Sequence, residues 1–509
     1  MCYRARILQK RRPITAHWFV AAACTALLAP AARAQITNST WTGVSGNWSN
    51  PALWSTNPFY PQDGNPPGTT YVAVVDAPTS NVLTVDRPIS VSRMTWRNGT
   101  IAGPGPLTAA NGANIFGGTL AGPLIVGVGP TTQVSGSAVP FVITSAGSLT
   151  GTADVSFTGS GAGTATINGP YNVSGRTLLG TIPGVFFNAP ATMGSLTVGE
   201  LVGGTADINV AGTLNWVGGE IRGTGRVVAQ GSAMIHWNSA DYPRLQLTGR
   251  TISLPGAANL LSDPVGNISL LMGGGAVVSV ESGASLDIAG GAAFTNSGGG
   301  GTISNAGIIR KAGSGTAGST MSIGSGLTLD NRGLLTIQTG PLLINGALKG
   351  TGTISGPVAI GSGGVLAPGA SPGTLHITGP VTMSGGAKLQ LELGGPMPSV
   401  GYDQLDLTGG GSIALNGSAL ETLLGYAPSQ TEPLTVILGG PVSGTFAGLP
   451  NGTEFFVGRF NATDFVGTIT YASTSVVLSN IHAVPEPAAW LLAGGAALAW
   501  AWRGRCAKP

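Results

Sequence analysis

Short runs in which apolar and polar residues alternate cover much of the chain. In the stretch KLQLEL, residues 388–393, leucine occupies every second position and polar residues fill the others. An alternation with a period of two predicts a strand with one buried and one exposed face. Glycine clusters separate such runs, and no helix is clearly signalled between the two ends of the chain. The pattern therefore predicts many short strands joined by turns.

Several short peptides recur along the middle of the chain. NAGII recurs 26 residues later as NRGLL, GTIS recurs after 51 residues, and GTADV recurs as GTADI after 53 residues. The two longer intervals are close to twice the shortest, which indicates a period near 25 residues. A period of this size with strand-like runs is typical of a solenoid with one coil per period. Such coils must stack, because one coil alone buries too little apolar surface.

The Asn-x-Gly triplets in these peptides fit the corners between strands. Asparagine tolerates the left-handed backbone region and glycine occupies it freely. Asparagines at equivalent corners would also stack along the axis and hydrogen-bond to one another. The stretch GLTLDNRGLLTIQTG shows the expected unit of strand, corner and strand.

Composition supports a packed β protein rather than a disordered one. Glycine contributes 84 of 509 residues and charged residues only 8%, while 42% of the residues are hydrophobic. Disorder requires low hydrophobicity and high net charge, so this balance argues against it. We expect an all-β parallel β-helix, or solenoid, with a Trp-rich N-terminal cap and a C-terminal β region, plus short helical targeting segments at both ends.

The expected organisation has five parts. These are a signal peptide (1–34), a Trp-rich β cap (35–100), Gly-rich solenoid repeats (101–374), a C-terminal β region (375–483) and a sorting signal with a short transmembrane helix (484–509).

Four tryptophans define the predicted cap: Trp41, Trp48, Trp54 and Trp96. Large apolar side chains can cover the open end of a stacked β core, which is the interpretation we favour. The alternative is a platform on which sugar rings stack.

The first residues have the three parts of a secretory signal peptide. Basic residues precede an apolar run from Phe19 to Pro30, and Ala32 and Ala34 occupy the small-x-small positions that signal peptidase requires. The alternative, a membrane anchor, is weaker because about 12 apolar residues are too few for a bilayer core that needs roughly 20.

The last 26 residues, VPEPAAWLLAGGAALAWAWRGRCAKP, place a Pro-Glu-Pro triplet before an apolar run and a basic end. As a helix, the run Ala488–Trp502 would span about 22 Å, short of a hydrocarbon core of ~30 Å. The segment resembles a PEP-CTERM sorting signal, which implies recognition by an exosortase, a membrane protease of bacteria that make exopolysaccharide. The residues that carry the resemblance are Val484, Pro485, Glu486, Pro487, Arg503 and Arg505. The alternative is an ordinary single-span anchor.

A second resemblance concerns the region from about residue 350 to residue 480. The peptides LAPGASPGTL and YDQLDL are similar to the C-terminal end of autotransporter-type β-helix repeats, and the Trp-rich opening resembles that of secreted proteins with such repeats. The resemblance implies a β-helix and gives no activity.

Charge and cysteine content limit the classes of partner and cofactor. Six basic residues lie in the leader and three in the tail, so acidic residues outnumber basic ones between residues 35 and 483. A nucleic-acid partner is therefore not expected. The three cysteines also lie in the leader and the tail, so the body offers no disulfide or thiolate metal site. His236, His376 and His482 are isolated, and we expect no metal or cofactor.

Catalytic carboxylates are the remaining candidates. Asp241, Asp263 and Asp287 are spaced by about one coil, as acids stacked on adjacent coils of a polysaccharide-cleaving β-helix would be, but their local contexts differ. Asp403 and Asp406 lie three apart in a predicted strand and would point to opposite faces. We interpret Asp241, Asp263 and Asp287 as solvated, and we expect Asp406 to face solvent or a turn. The expected function is a non-enzymatic cell-surface or extracellular-matrix protein, structural or adhesive in an exopolysaccharide (biofilm) layer; the alternative is a β-helix polysaccharide hydrolase or lyase.

The leader should be absent from the exported protein. Because Ala32 and Ala34 fit signal peptidase, the mature N-terminus is expected at Gln35 or within a residue or two of it. Mass spectrometry of the secreted protein's N-terminal peptide measures this directly. Exported protein that still begins at Met1 would contradict the assignment.

Overall fold

The computed structural model describes residues 35–136, 138–159, 161–237, 244–261, 267–313 and 320–484. These residues form β-strands, turns and a single 3₁₀ turn, Pro51–Leu53. The expected all-β solenoid is confirmed for this part of the chain. The two helical targeting segments lie outside the described residues.

Each coil contributes one strand to each of three parallel sheets. In one such coil, the chain passes from Thr100–Ala102 in sheet 3 to Leu107–Ala109 in sheet 2 and then to Ala113–Ile115 in sheet 1. It then returns to sheet 3, where Gly118–Ala121 pairs in parallel with Thr100–Ala102. The three sheets thus enclose one continuous core.

Two long strands pass from sheet 2 into sheet 1 without a break, so they belong to both sheets. The strands of sheet 1 are Gln35–Thr40, Thr69–Val75, Arg93–Trp96, Ala113–Ile115, Thr132–Val134, Val155–Phe157, the shared Tyr171–Leu179 and Ala191–Val198, Thr213–Trp216, Ser232–His236, Ala257–Leu261, Ser285–Ala289, Ile308–Ala312, Leu334–Ile337, Thr353–Ser355, Thr374–Ile377, Gln404–Asp406 and Leu434–Leu438. Besides the shared strands, sheet 2 contains Ile89–Val91, Leu107–Ala109, Pro123–Val126, Ser148–Gly151, Ile208–Val210, Arg226–Ala229, Thr251–Leu254, Ala276–Val280, Gly301–Asn305, Leu327–Asn331, Ala347–Gly350, Val365–Pro368, Lys388–Leu393 and Ala419–Leu424.

Sheet 3 closes the third side of the core. Its strands are Gly46–Asn47, Val82–Thr84, Thr100–Ala102, Gly118–Ala121, Phe141–Ile143, Ala165–Ile167, Val185–Phe187, Val202–Gly203, Glu220–Arg222, Gln246–Thr248, Asn267–Gly273, Gly291–Gly298, Met321–Ile323, Leu342–Ile344, Val358–Ile360, Pro380–Met383, Ser412–Ala414 and Val442–Ser443. A C-terminal antiparallel meander follows, with strands Glu454–Phe460, Thr463–Ala472 and Ser475–Ala483.

Alternation of side chains builds the core as the sequence predicts. In the strand Lys388–Leu393, the three leucines are fully buried and the residues between them face outward. In-register pairing repeats this arrangement from coil to coil, so each inward apolar side chain packs on another above and below it.

Only the shortest recurrence in the sequence corresponds to one coil. Asn305 pairs in register with Asn331, so NAGII and NRGLL occupy equivalent corners. One GTIS peptide begins the sheet 2 strand Gly301–Asn305, whereas the other contains the sheet 1 strand Thr353–Ser355, so the two peptides lie on different faces. The expectation that the longer intervals are two coils was therefore wrong. Coil length also varies, since Leu342 pairs with Val358.

The asparagines at the corners act through their side chains. Asn305 and Asn331 are fully buried, and the Asn305 Nδ2 donates to Asn331 Oδ1 at 2.7 Å. Asn331 in turn donates to the carbonyl of Thr353 in the following coil at 3.1 Å. The predicted asparagine ladder is thus present. Neither residue adopts a positive φ, and Gly333 is required instead because a Cβ there would collide with the carbonyl oxygen of Gly307.

A buried arginine fastens three successive coils elsewhere in the stack. The Arg250 guanidinium donates to the carbonyls of Gly203, Arg222 and Ala206, and burial lowers its pKa to about 10. These bonds satisfy most of the donors of a side chain that is otherwise costly to bury.

At each end of the stack, segments outside the coils cover a sheet edge. At the N-terminal end, Gln62 and Asp63 hydrogen-bond to the backbone of Ser90, in the first strand of sheet 2. At the other end, Leu434–Leu438 pairs antiparallel with Ser475–Ala483, which belongs to the meander. Covering an open sheet edge removes a template for pairing with other chains.

The boundaries expected at residues 100 and 374 do not separate folds. Each falls inside or at the first residue of a strand that belongs to the stack. Parallel pairing already begins with Gln35–Thr40 and continues to Val442–Ser443, and the antiparallel meander begins only at Glu454.

Replacing Asn331 with alanine should destabilise the stack. Asn331→Ala removes the bond from Asn305 and the donor to Thr353, and we expect a loss of about 2–4 kcal/mol in the free energy of unfolding. Urea denaturation followed by circular dichroism measures it.

Asn209→Ala is the matched control, because Asn209 faces outward from a sheet 2 strand and should cost less than about 0.5 kcal/mol. Equal midpoints for the two variants would contradict the ladder's contribution.

Candidate functional site

Of the predicted sorting residues, Val484 alone lies within the described part of the chain. Its side chain is exposed, and its backbone N–H donates to the carbonyl of Asp464 at 2.8 Å, directly after the last strand of the meander. The other predicted processing residues lie outside the described residues: Ala32, Ala34, Pro485, Glu486, Pro487, Arg503 and Arg505. Among the described residues, no helix is long and apolar enough to cross a bilayer.

The N-terminal tryptophans are core residues. Trp41, Trp48, Trp54 and Trp96 are each at most 2% exposed. The rings of Trp48 and Trp54 pack 4.7 Å apart, and the Trp54 Nε1 donates to the Trp48 carbonyl. This burial agrees with the covering role and leaves these rings without a free face for a sugar.

The stacked-acid hypothesis can be examined at Asp287 alone, since Asp241 and Asp263 lie outside the described residues. Asp287 occupies an outward position of sheet 1 in register with Asn259 and Arg310. The Arg310 Nη1 lies 2.9 Å from its Oδ1, and both side chains are about half exposed. Asp287 therefore forms a surface ion pair with a residue of the neighbouring coil.

The two motifs of the second resemblance meet in space. The PGASPG loop, residues 368–373, joins sheet 2 to sheet 1, and Asp403 of the YDQLDL peptide lies at the same corner one coil later. Asp403 is 3% exposed, and its two oxygens accept the backbone N–H groups of Gly373 and Glu392, each at 2.8 Å. Gly369 is required because a Cβ there would collide with this carboxylate.

The Asp403 carboxylate is electrostatically unusual. Its pKa is raised to about 6, chiefly by burial and also by the charge of Glu392. The two backbone N–H bonds oppose this shift and lower the pKa. A small pocket of ≈ 220 Å³ opens beside it, also lined by Asp330, Arg332 and Lys349. Arg332 forms a bidentate pair with Asp330, with Nη2 to Oδ2 at 3.0 Å. Because amides occupy both oxygens of Asp403, this carboxylate holds the loop rather than facing a ligand.

Asp406 has a separate environment from Asp403, as the spacing predicts. Its Oδ2 lies 2.9 Å from His376 Nδ1 in the register-paired strand, and its Oδ1 accepts from the Thr408 N–H. Sequence reasoning missed the burial of Asp403, because YDQLDL alternates too weakly to show that Asp403 lies at a corner. Within the described ranges, no group of three or more metal-ligating side chains occurs.

No known family model matches the chain, and no curated protein matches its sequence. Function is therefore inferred from the residues and the fold alone.

Asp403 should make the stack less stable as pH rises through the range between about 4 and 6. Its folded-state pKa of about 6 lies above the unfolded value of about 3.9, so the native state binds more protons in this window. The free energy of unfolding then falls as pH rises, by up to roughly 3 kcal/mol from this group.

Asp403→Asn removes this titration and, since an amide has one acceptor oxygen, also loses one backbone bond. The measurement is the difference between wild-type and variant unfolding free energies across the pH range. Asn209→Ala is the control, because it removes no titratable group and should leave the pH dependence unchanged. A difference between wild type and the Asp403→Asn variant that does not vary with pH would rule out the assignment.

Proposed function

We propose that this protein is a non-enzymatic exported protein with a structural or adhesive role in an exopolysaccharide, or biofilm, layer. It is exported by signal peptidase processing and sorted at the cell envelope by an exosortase-like membrane protease. The C-terminal segment anchors it transiently in the membrane before processing.

The observation that carries the proposal is the unbroken stack of coils. Sheet 3 contains eighteen strands within the described residues, which at ~4.8 Å per strand extends about 80 Å along the axis. Such a stack presents long rows of outward side chains at fixed spacing. Extended faces of this kind suit repeated weak contacts along a polymer better than one deep site.

The position of Val484 supports sorting through the tail. Val484 is exposed and follows the meander that covers the end of the stack. A protease therefore meets the segment after Val484 without having to unfold the coils. The Pro-Glu-Pro triplet and the basic end supply the resemblance to a sorting signal.

The alternative, a polysaccharide hydrolase, requires two carboxyl groups roughly 5–10 Å apart that flank the bond to be cleaved. In the described part of the chain, Asp287 is paired with Arg310, and Asp403 is bound to two backbone amides. No observation there favours the alternative.

The sorting claim is tested by replacing Pro485, Glu486 and Pro487 together with alanine in the native host. The apolar run keeps its hydrophobicity, so membrane insertion should persist while processing fails. Fractionation and mass spectrometry of the mature C-terminus should then show unprocessed protein in the membrane and little in the matrix.

Alanine at Arg503, Arg505 and Lys508 is the comparison, because it weakens the stop and orientation signal instead. Release of the triple Pro-Glu-Pro variant as efficiently as the parent would contradict sorting by this motif.

A further inference from the structure

An open groove crosses the outer face of sheet 1 near the N-terminal end of the stack. Its volume is ≈ 490 Å³, within the usual range for ligand sites. Four successive coils contribute to it, and none of its lining residues is acidic. The polar side chains in its lining are Arg93, Thr95, Asn111, Asn114, Thr131 and Gln133.

Register pairing arranges the central side chains in a straight row. Thr95 pairs with Asn114, and Asn114 pairs with Gln133, so a hydroxyl and two amides succeed one another along the axis. Asn114 and Gln133 are exposed. Their spacing is that of the strands, ~4.8 Å, which is comparable to the length of one sugar residue in an extended chain. Amides both donate and accept, which suits hydroxyl groups.

Arg93 gives the groove its charge preference. Its side chain is exposed, lies at the edge of the row, and forms no ion pair with any described residue. The nearby Arg97 is different, since its Nη1 lies 3.7 Å from Asp76 Oδ2. A guanidinium is suited to bidentate binding of a carboxylate.

The single arginine also limits the class of polyanion that the groove could bind. Nucleic acid fits less well, because binding to its backbone requires several clustered cations and the groove offers one.

We propose that this groove binds a uronate-containing oligosaccharide whose chain runs along the axis of the stack. Arg93 pairs with a sugar carboxylate, and Thr95, Asn114 and Gln133 bond to hydroxyl groups of successive residues. This inference rests on the proposed matrix function and names the site and the charge class of its ligand.

The test is calorimetric titration of the purified full-length protein with hexamers of galacturonate, mannuronate and guluronate, and with maltohexaose as the neutral probe. At least one acidic hexamer should bind about tenfold or more tightly than maltohexaose. Arg93→Ala should weaken acidic binding by about 10- to 100-fold, the range expected for a lost charge-assisted hydrogen bond. The double variant Asn114→Ala, Gln133→Ala should also weaken acidic binding, although Arg93 is intact.

Arg176→Ala is the matched control, because it removes another exposed arginine, which pairs with Asp154 outside the groove. It should leave binding unchanged, and circular dichroism should show every variant folded. The proposal is overturned if no acidic hexamer exceeds maltohexaose, or if Arg93→Ala and Arg176→Ala have equal effects.

Fractionation of the host matrix separates this failure from failure of the matrix function. Wild-type protein that stays in the matrix but binds none of the hexamers overturns the groove and leaves the matrix role in place. Wild-type protein absent from the matrix contradicts the matrix role itself.

Discussion

The structure depends on in-register parallel pairing between coils. Each strand hydrogen-bonds to its equivalents above and below, and a one-residue slip would turn the apolar face outward. The same constraint applies in all three sheets around the single core. A side chain that faces the core must therefore be apolar or have hydrogen-bond partners for its polar groups. Asn305, Asn331 and Arg250 show the second solution, because their polar groups bind to neighbouring coils.

Sequence pattern predicted the class of fold, the alternation of KLQLEL and the asparagine ladder, because these follow from local periodicity. It did not predict the number of strands per coil or their faces, because the same peptide, such as GTIS, forms strands of different sheets. The burial of Asp403 was also missed, since it depends on two amides that come from residues 373 and 392. The groove could not be predicted from the sequence, because Arg93 and Gln133 come to line one groove only through strand register across coils.

The same geometry connects the fold with the proposed role. Outward positions are free of the packing constraint, so rows such as Thr95, Asn114 and Gln133 can carry recognition without disturbing the core. Because coil length varies, the residues of such a row are unevenly spaced along the sequence. Strand pairing nevertheless spaces them evenly along the axis of the stack. A covered stack ending at an exposed Val484 is compatible with release of the folded protein after removal of its tail.

Distances between spin labels on one outward row of sheet 1 test the stacking most directly. The pair Asn114 and Met234 and the pair Met234 and Ser355 have nearly the same separation in sequence. Register pairing places the first pair six strands apart and the second pair five strands apart. With Cys2, Cys24 and Cys506 replaced by serine, cysteine labels at these sites are unique. The account predicts separations of about 29 Å and 24 Å between the labelled backbone positions. Equal separations, or broad distributions for both pairs, would contradict it.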